Sequence, residues 1–138
     1  MLTLSIVTPE RRVVGPVPVE SVTVPGSKGE MTILPGHARL LSNMDTGILI
    51  FEREDGRKEI AAVSSGFVEI KNDRVIVLAE TLELAQEIDV DRARRAAVKA
   101  QEKLMAKESF DEDMLEWQRR LQRALVRQQA AEFLLPPH

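Results

Sequence analysis

The side chains best placed for chemistry are cations. Arg92, Arg95 and Lys99, then Arg119, Arg120, Arg123 and Arg127, fall in two stretches rich in strong helix formers, and Arg123 and Arg127 stand four apart, which puts them on one helix face. Guanidinium groups grip phosphate or carboxylate in a two-pronged geometry, so this spacing permits anion binding more readily than bond making. The competing reading is a solvated, salt-bridged surface, because Asp91, Glu102, Glu108 and Glu116 are interleaved with the cations. Nucleophilic catalysis has few candidates: the chain holds two histidines and neither cysteine nor tyrosine. Ser64-Ser65 and His37 form the one conceivable nucleophile and base, but no glycine-flanked nucleophile elbow surrounds the serines. A metal site needs clustered His, Cys or carboxylates, and Asp111-Glu112-Asp113 reads instead as negative charge at a helix start. Gly26-Ser27-Lys28-Gly29 lacks both the spacing of a phosphate-binding loop and the helix that must follow one, so it reads as a hairpin turn.

Composition bounds the scaffold that carries these residues. At 138 residues, 43% hydrophobic and 4% aromatic, the chain suits one compact domain with a smaller appendage, packed around an aliphatic core. The lack of cysteine excludes a disulfide framework and thiolate chemistry. Met1-Leu2-Thr3-Leu4-Ser5 has no signal-peptide character, and no apolar run reaches membrane-spanning length. A net charge of −3 argues against general affinity for nucleic acid.

Two patterns divide the chain. Leu2, Leu4 and Ile6 alternate with polar residues as a half-buried strand does. Arg12 to Pro18 is valine-rich but carries Pro16 and Pro18, which predicts a sheet edge or a bend before strand character resumes at Val19–Val24. Pro25-Gly26 and Pro35-Gly36 read as two corners bracketing a short apolar strand. Ile48–Phe51 and Ile60–Val63 flank an Asp55-Gly56 hairpin signal, and Ser65–Ile70 and Val75–Ala79 flank the polar tip Lys71-Asn72-Asp73-Arg74. Many short strands with turn residues between them predict an antiparallel β-sandwich or a flattened barrel whose last strand ends near Ala79-Glu80.

From Ile88 the β-branched residues thin out and Ala, Arg, Lys, Glu, Gln and Leu take over. Asp89 is placed to cap a first helix with the small stripe Ala93, Ala96, Ala97, Ala100 and Leu104. A break is expected at Lys107–Phe110. A second helix follows with the stripe Met114, Trp117, Leu121, Ala124, Leu125 and Ala131, ending before Pro136-Pro137-His138. The fold class is therefore α+β: an N-terminal antiparallel β-sandwich over residues 1–87, then a C-terminal antiparallel two-helix hairpin over residues 88–138. An alanine seam buries little area, so the hairpin is open to reversible separation.

With these elements placed, Gly26-Ser27-Lys28-Gly29-Glu30, Ile33-Leu34-Pro35-Gly36-His37-Ala38 with Leu40-Leu41, Ser65–Ile70, Val75–Glu80 and Ile88-Asp89-Val90-Asp91-Arg92-Ala93 resemble, in the right order, the epsilon subunit of the bacterial F-type ATP synthase. The resemblance spans essentially the whole chain. It implies a non-catalytic subunit of the central stalk, peripheral on the cytoplasmic face of the bacterial membrane without inserting into it. Its sandwich would grip the gamma subunit and rest on the c-subunit ring. By that resemblance Glu30 faces the ring and His37 lies towards gamma. The hairpin would extend into the catalytic head and hinder ATP hydrolysis, with Arg119 and Arg120 among the basic residues meeting the alpha and beta subunits. No obligate cofactor is implied. A regulatory ATP is implied at Glu83, Ile88, Asp89, Arg92, Ala93, Arg123 and Arg127, although Lys99 stands where ATP-binding members carry another arginine. Arg39, and Pro16 and Pro18, also depart from the family pattern. Two other readings are a free-standing nucleic-acid-binding module and a small β-sandwich hydrolase.

Overall fold

The computed structural model describes residues 1–10, 12–106 and 111–133. The expected break at Lys107–Phe110 and the terminal Pro136-Pro137-His138 lie outside the described residues.

Among the described residues nine strands precede two helices: β1 (Leu2–Val7), β2 (Arg12–Gly26), β3 (Gly29–Ile33), β4 (Leu40–Met44), β5 (Gly47–Arg53), β6 (Lys58–Val63), β7 (Gly66–Lys71), β8 (Arg74–Ala79) and β9 (Leu82–Leu84). A single 3-10 turn, Ala85–Glu87, then leads to α1 (Val90–Met105) and α2 (Asp111–Glu132). The strands are linked in one sheet folded into two layers that share β2. The first half of β2 pairs with β1, its second half pairs with β3 and β5, and Gly26 at its end also pairs with Met44 of β4. One layer runs β2-β1-β8-β7-β4, with β1 and β8 parallel, and the other runs β3-β2-β5-β6-β9.

The valine-rich proline segment lies at a sheet edge, as expected, since up to Pro18 it pairs with β1 alone, but it does not break before a new strand. Arg12–Gly26 is one 15-residue strand. The prolines are tolerated because Pro16 and Pro18 are exposed and the pairing with β1 is irregular around Ile6. Gly15 sits at the close approach in this irregular stretch: at φ +80°, a Cβ there would lie 2.1 Å from the Leu4 carbonyl oxygen. Two strands, β4 and β9, go beyond the sequence pattern. β4 is short and only Met44 in it is fully buried; β9 is three residues long and carries the sandwich past Ala79-Glu80.

Between the layers lies an aliphatic core built from Leu2, Leu4, Ile6, Val22, Leu49, Val63, Ile70 and Val77, together with the aromatic Phe51. The polar tip Asn72-Asp73 has positive φ at both residues, the geometry of a two-residue hairpin that asparagine and aspartate tolerate.

α1 is 16 residues and α2 is 22. Val90 and Arg94 lie beside Ala131, while Lys103 approaches Trp117, so the two helices run antiparallel. Their seam holds Ala93, Ala97, Ala100, Ala124 and Ala131, all buried. Leu125 is not in it: at 40% exposure it faces solvent. The buried neighbour is Val126, which with Ala130 packs on Ala62 and Ala85, backed by Ile48, Ile60 and Ile88. α2 therefore has two apolar stripes, one against α1 and one against the outer side of β5 and β6. This explains why Ile48–Phe51 reads as an unbroken apolar run: Leu49 and Phe51 point into the core and Ile48 points at the helix.

Candidate functional site where the helices meet the sandwich

The chain leaves β9, makes its 3-10 turn and enters α1 in extended conformation. At this entry Asp89 is the N-cap, its Oδ1 accepting from the Arg92 backbone N–H at 3.1 Å. The cap satisfies one of the orphan donors of the helix start and holds a carboxylate where the helix dipole favours it. Across from it α2 brings Arg127, whose Nε forms an ion pair with Glu83 Oε1 at 3.1 Å. Glu83, Glu87, Asp89, Arg92, Ala93 and Arg127 enclose a cleft of about 160 Å³.

Of the residues expected to form a nucleotide site, five line this cleft: Glu83, Asp89, Arg92, Ala93 and Arg127. Ile88 does not; its side chain packs into the apolar cluster under α2. Arg123 lines two neighbouring clefts and donates through Nη2 to Glu80 Oε2 at 3.3 Å. Lys99 lines one of those neighbours with Arg123 and lies over Trp117 at 5.9 Å. The cleft faces three carboxylates with two guanidiniums. Its volume is below the roughly 300–1,000 Å³ of sites that enclose a small molecule.

Glu80 and Val126 join this site without having stood out as candidates in the sequence. A signal was present for both: an acid at 80 and another at 83 match arginines at 123 and 127, and an apolar run too continuous for a half-buried strand implies a cover.

The residues expected at partner surfaces lie elsewhere. Glu30 is exposed beside the Ser27-Lys28 turn, where Pro25 pairs with it. His37 follows the other end of β3, its Nδ1 donating to the Ala38 carbonyl at 2.7 Å, in a loop tied down by the Gly36 N–H to Asp73 Oδ1 at 2.8 Å. Arg119 and Arg120 both reach back to Glu116, at 3.9 and 3.1 Å, and the Arg120 guanidinium lies 4.6 Å from the Trp117 ring centroid. Ser64 is buried and bonded to Thr81, its Oγ accepting from the Thr81 N–H at 2.8 Å. That bond joins β6 to the chain entering β9, a structural task, and no histidine faces it among the described residues. No group of three or more His, Cys, Asp or Glu is arranged to hold a metal among the described residues.

Two family models cover this architecture end to end: the ATP synthase delta/epsilon chain β-sandwich domain over residues 1–85, and the delta/epsilon chain long α-helix domain over residues 86–132. The chain belongs to the ATP synthase delta/epsilon family. Similar curated proteins are the ATP synthase epsilon chains of Carboxydothermus hydrogenoformans, 48% identical over 73% of this chain and 74% of that one, and of Myxococcus xanthus, 42% identical over 96% and 92%. The epsilon chain of Symbiobacterium thermophilum is 39% identical over 96% and 94%. A chain in the mitochondrial ATP synthase of Euglena gracilis shares the fold, with a TM-score of 0.83 at 22% identity over 96% of this chain and 81% of that one. The epsilon chain is a non-catalytic subunit of the synthase, in keeping with a serine that is locked in a structural hydrogen bond. No helix among the described residues is long and apolar enough to cross a membrane.

Proposed function

We propose that this delta/epsilon chain is a rotor subunit of the central stalk of a bacterial F-type ATP synthase, peripheral on the cytoplasmic face of the membrane. Its sandwich couples gamma to the c ring, and its helical pair restrains ATP hydrolysis when it leaves the sandwich for the catalytic head. The observation that best supports a gripping role is the unequal treatment of the two outer faces. The β5–β6 face is covered by the chain's own α2. The β4-β7-β8 face is bare yet apolar, with Leu41 at 68%, Phe67 and Leu78 at 50% and Ile76 at 39% exposure. Register places Phe67 directly beside Leu78 and aligns Leu41, Glu69 and Ile76 in the adjacent row. Contiguous apolar surface of this kind marks an interaction site, and gamma is the occupant that the family supplies.

In this reading Glu30 faces the c ring, His37 lies towards gamma, and Arg119 and Arg120 exchange Glu116 for acids of the alpha and beta subunits when the helices extend. A regulatory ATP fits the joint through phosphate contacts to Arg92 and Arg127. Because those two arginines belong to different helices, Glu83 to β9 and Asp89 to the connection, a ligand touching all of them stabilises the folded arrangement. At a hundredfold excess over its dissociation constant the gain is about 2.7 kcal/mol.

The gripping surface is tested by co-purification of the full chain with a gamma–c-ring complex. Phe67→Ser with Leu78→Ser, at two exposed positions, should reduce retention at least tenfold while leaving the thermal unfolding midpoint near that of the parent. Undiminished retention contradicts the assignment of this face.

A further inference from the structure

We propose that Glu80 and Glu83 are an electrostatic latch for α2, the element that sets how often the helical pair leaves the sandwich, and that ionic strength works it. Between α2 and the sandwich two kinds of contact occur. One is a small apolar patch of Val126 and Ala130 on Ala62 and Ala85. The other is a pair of ion pairs, Arg123 to Glu80 at 3.3 Å and Arg127 to Glu83 at 3.1 Å. Both arginines come from one face of α2, four residues apart, and both acids come from the short segment that ends β8 and forms β9. The arginine ion pairs of Arg119 and Arg120 with Glu116 stay within α2 and survive undocking unchanged.

The apolar patch is modest, since three of its four buried members are alanines and the isoleucines that border it, Ile48, Ile60 and Ile88, are only partly buried. Small charge contributions therefore decide the balance. Each latch pair is partly exposed, 39% and 60% for Arg123 and Glu80 and 43% and 34% for Arg127 and Glu83, so each shifts the docking equilibrium by about 1.4- to 5-fold and loses most of that to screening at high salt. Because one helix carries both cations, the pairs form and break together, and their factors multiply.

The latch rests on the mobile-hairpin reading but needs neither a bound ligand nor the rest of the synthase. The experiment uses the full chain, in which the lack of native cysteine allows two fluorophores to be placed cleanly, one at exposed Gln129 on α2 and one at exposed Glu54 in the β5–β6 turn. Energy transfer then reports docking. Raising salt from about 20 mM to about 1 M spans Debye lengths from over 20 Å to 3 Å and should lower the docked-to-undocked ratio severalfold in the parent. Glu80→Gln with Glu83→Gln should start near the parent's high-salt value and respond little to salt. Exchanging the partners, Glu80→Arg with Arg123→Glu, should return both the docked ratio and its salt response, which a merely structural role for Glu80 would not do. Val126→Asp, which breaks the apolar patch, fixes the signal of the undocked helix. If the double glutamine variant docks as fully and as salt-sensitively as the parent, or if the exchange fails to restore docking, the latch is overturned. If Val126→Asp also leaves the signal unchanged, the joint does not open at all, and the mobile-hairpin reading falls with it.

Discussion

Asp55 illustrates how a single carboxylate can be tuned in full solvent. The backbone N–H of Arg57 donates to Asp55 Oδ1 at 3.0 Å and the Arg57 Nε donates to Oδ2 at 2.6 Å, and together they hold the Asp55 carboxyl below its ordinary value. A depressed folded-state pKa means stability that is present above the unfolded value of about 3.9 and is lost as pH falls through the folded one. Carbon-detected NMR titration should place Asp55 below a random-coil aspartate. Arg57→Ala should move it only part of the way back, because the larger backbone contribution survives. A full return would mean that the side chain alone is responsible. At this scale the sequence was legible where chemistry is local. Asp89 announces itself as a cap by preceding the first helical turn, and Asn72-Asp73 announces a hairpin tip. Ser64 was illegible because its partner, Thr81, is 17 residues away, and Glu80 showed only as a charge matching Arg123, 43 residues away.

Elements carry the next level of control. The seam between α1 and α2 is built from alanines, which let the backbones approach but contribute little burial each. Ala97 lies in the middle of the α1 side of that seam, 5% exposed. Ala97→Leu should overpack it and cost about 1–3 kcal/mol. Hydrogen exchange should accelerate in both helices while the amides of β1, β7 and β8 stay protected. Equal acceleration across the sandwich would mean that the helices and strands unfold as one unit. Periodicity made both helices and most strands legible in advance, because helix and strand place apolar residues at different intervals. It failed for β4 and β9, which are too short to show a period, and for the continuity of β2, where prolines suggested an end that exposure and irregular pairing made unnecessary. It also placed Leu125 rather than Val126 in the interface, since a one-stripe reading of α2 cannot anticipate a second surface packed on a sheet.

The whole molecule presents two apolar outer faces and covers only one of them with itself. The covered side is held by a patch of small residues and two exchangeable ion pairs, which suits reversible occupation by the chain's own helices. The bare side offers Leu41, Phe67 and Leu78 to a partner. In the proposed function this division gives anchoring to the sandwich and regulation to the hairpin. Its sharpest test is ATP hydrolysis by an epsilon-depleted catalytic head from the same source, titrated with the full chain and with a chain ending at Glu87. Binding to gamma is followed in parallel, so that a misfolded truncation is recognised. Both chains should bind, and only the full chain should lower the hydrolysis rate. Equal inhibition by the two would contradict the division and move the brake to the sandwich.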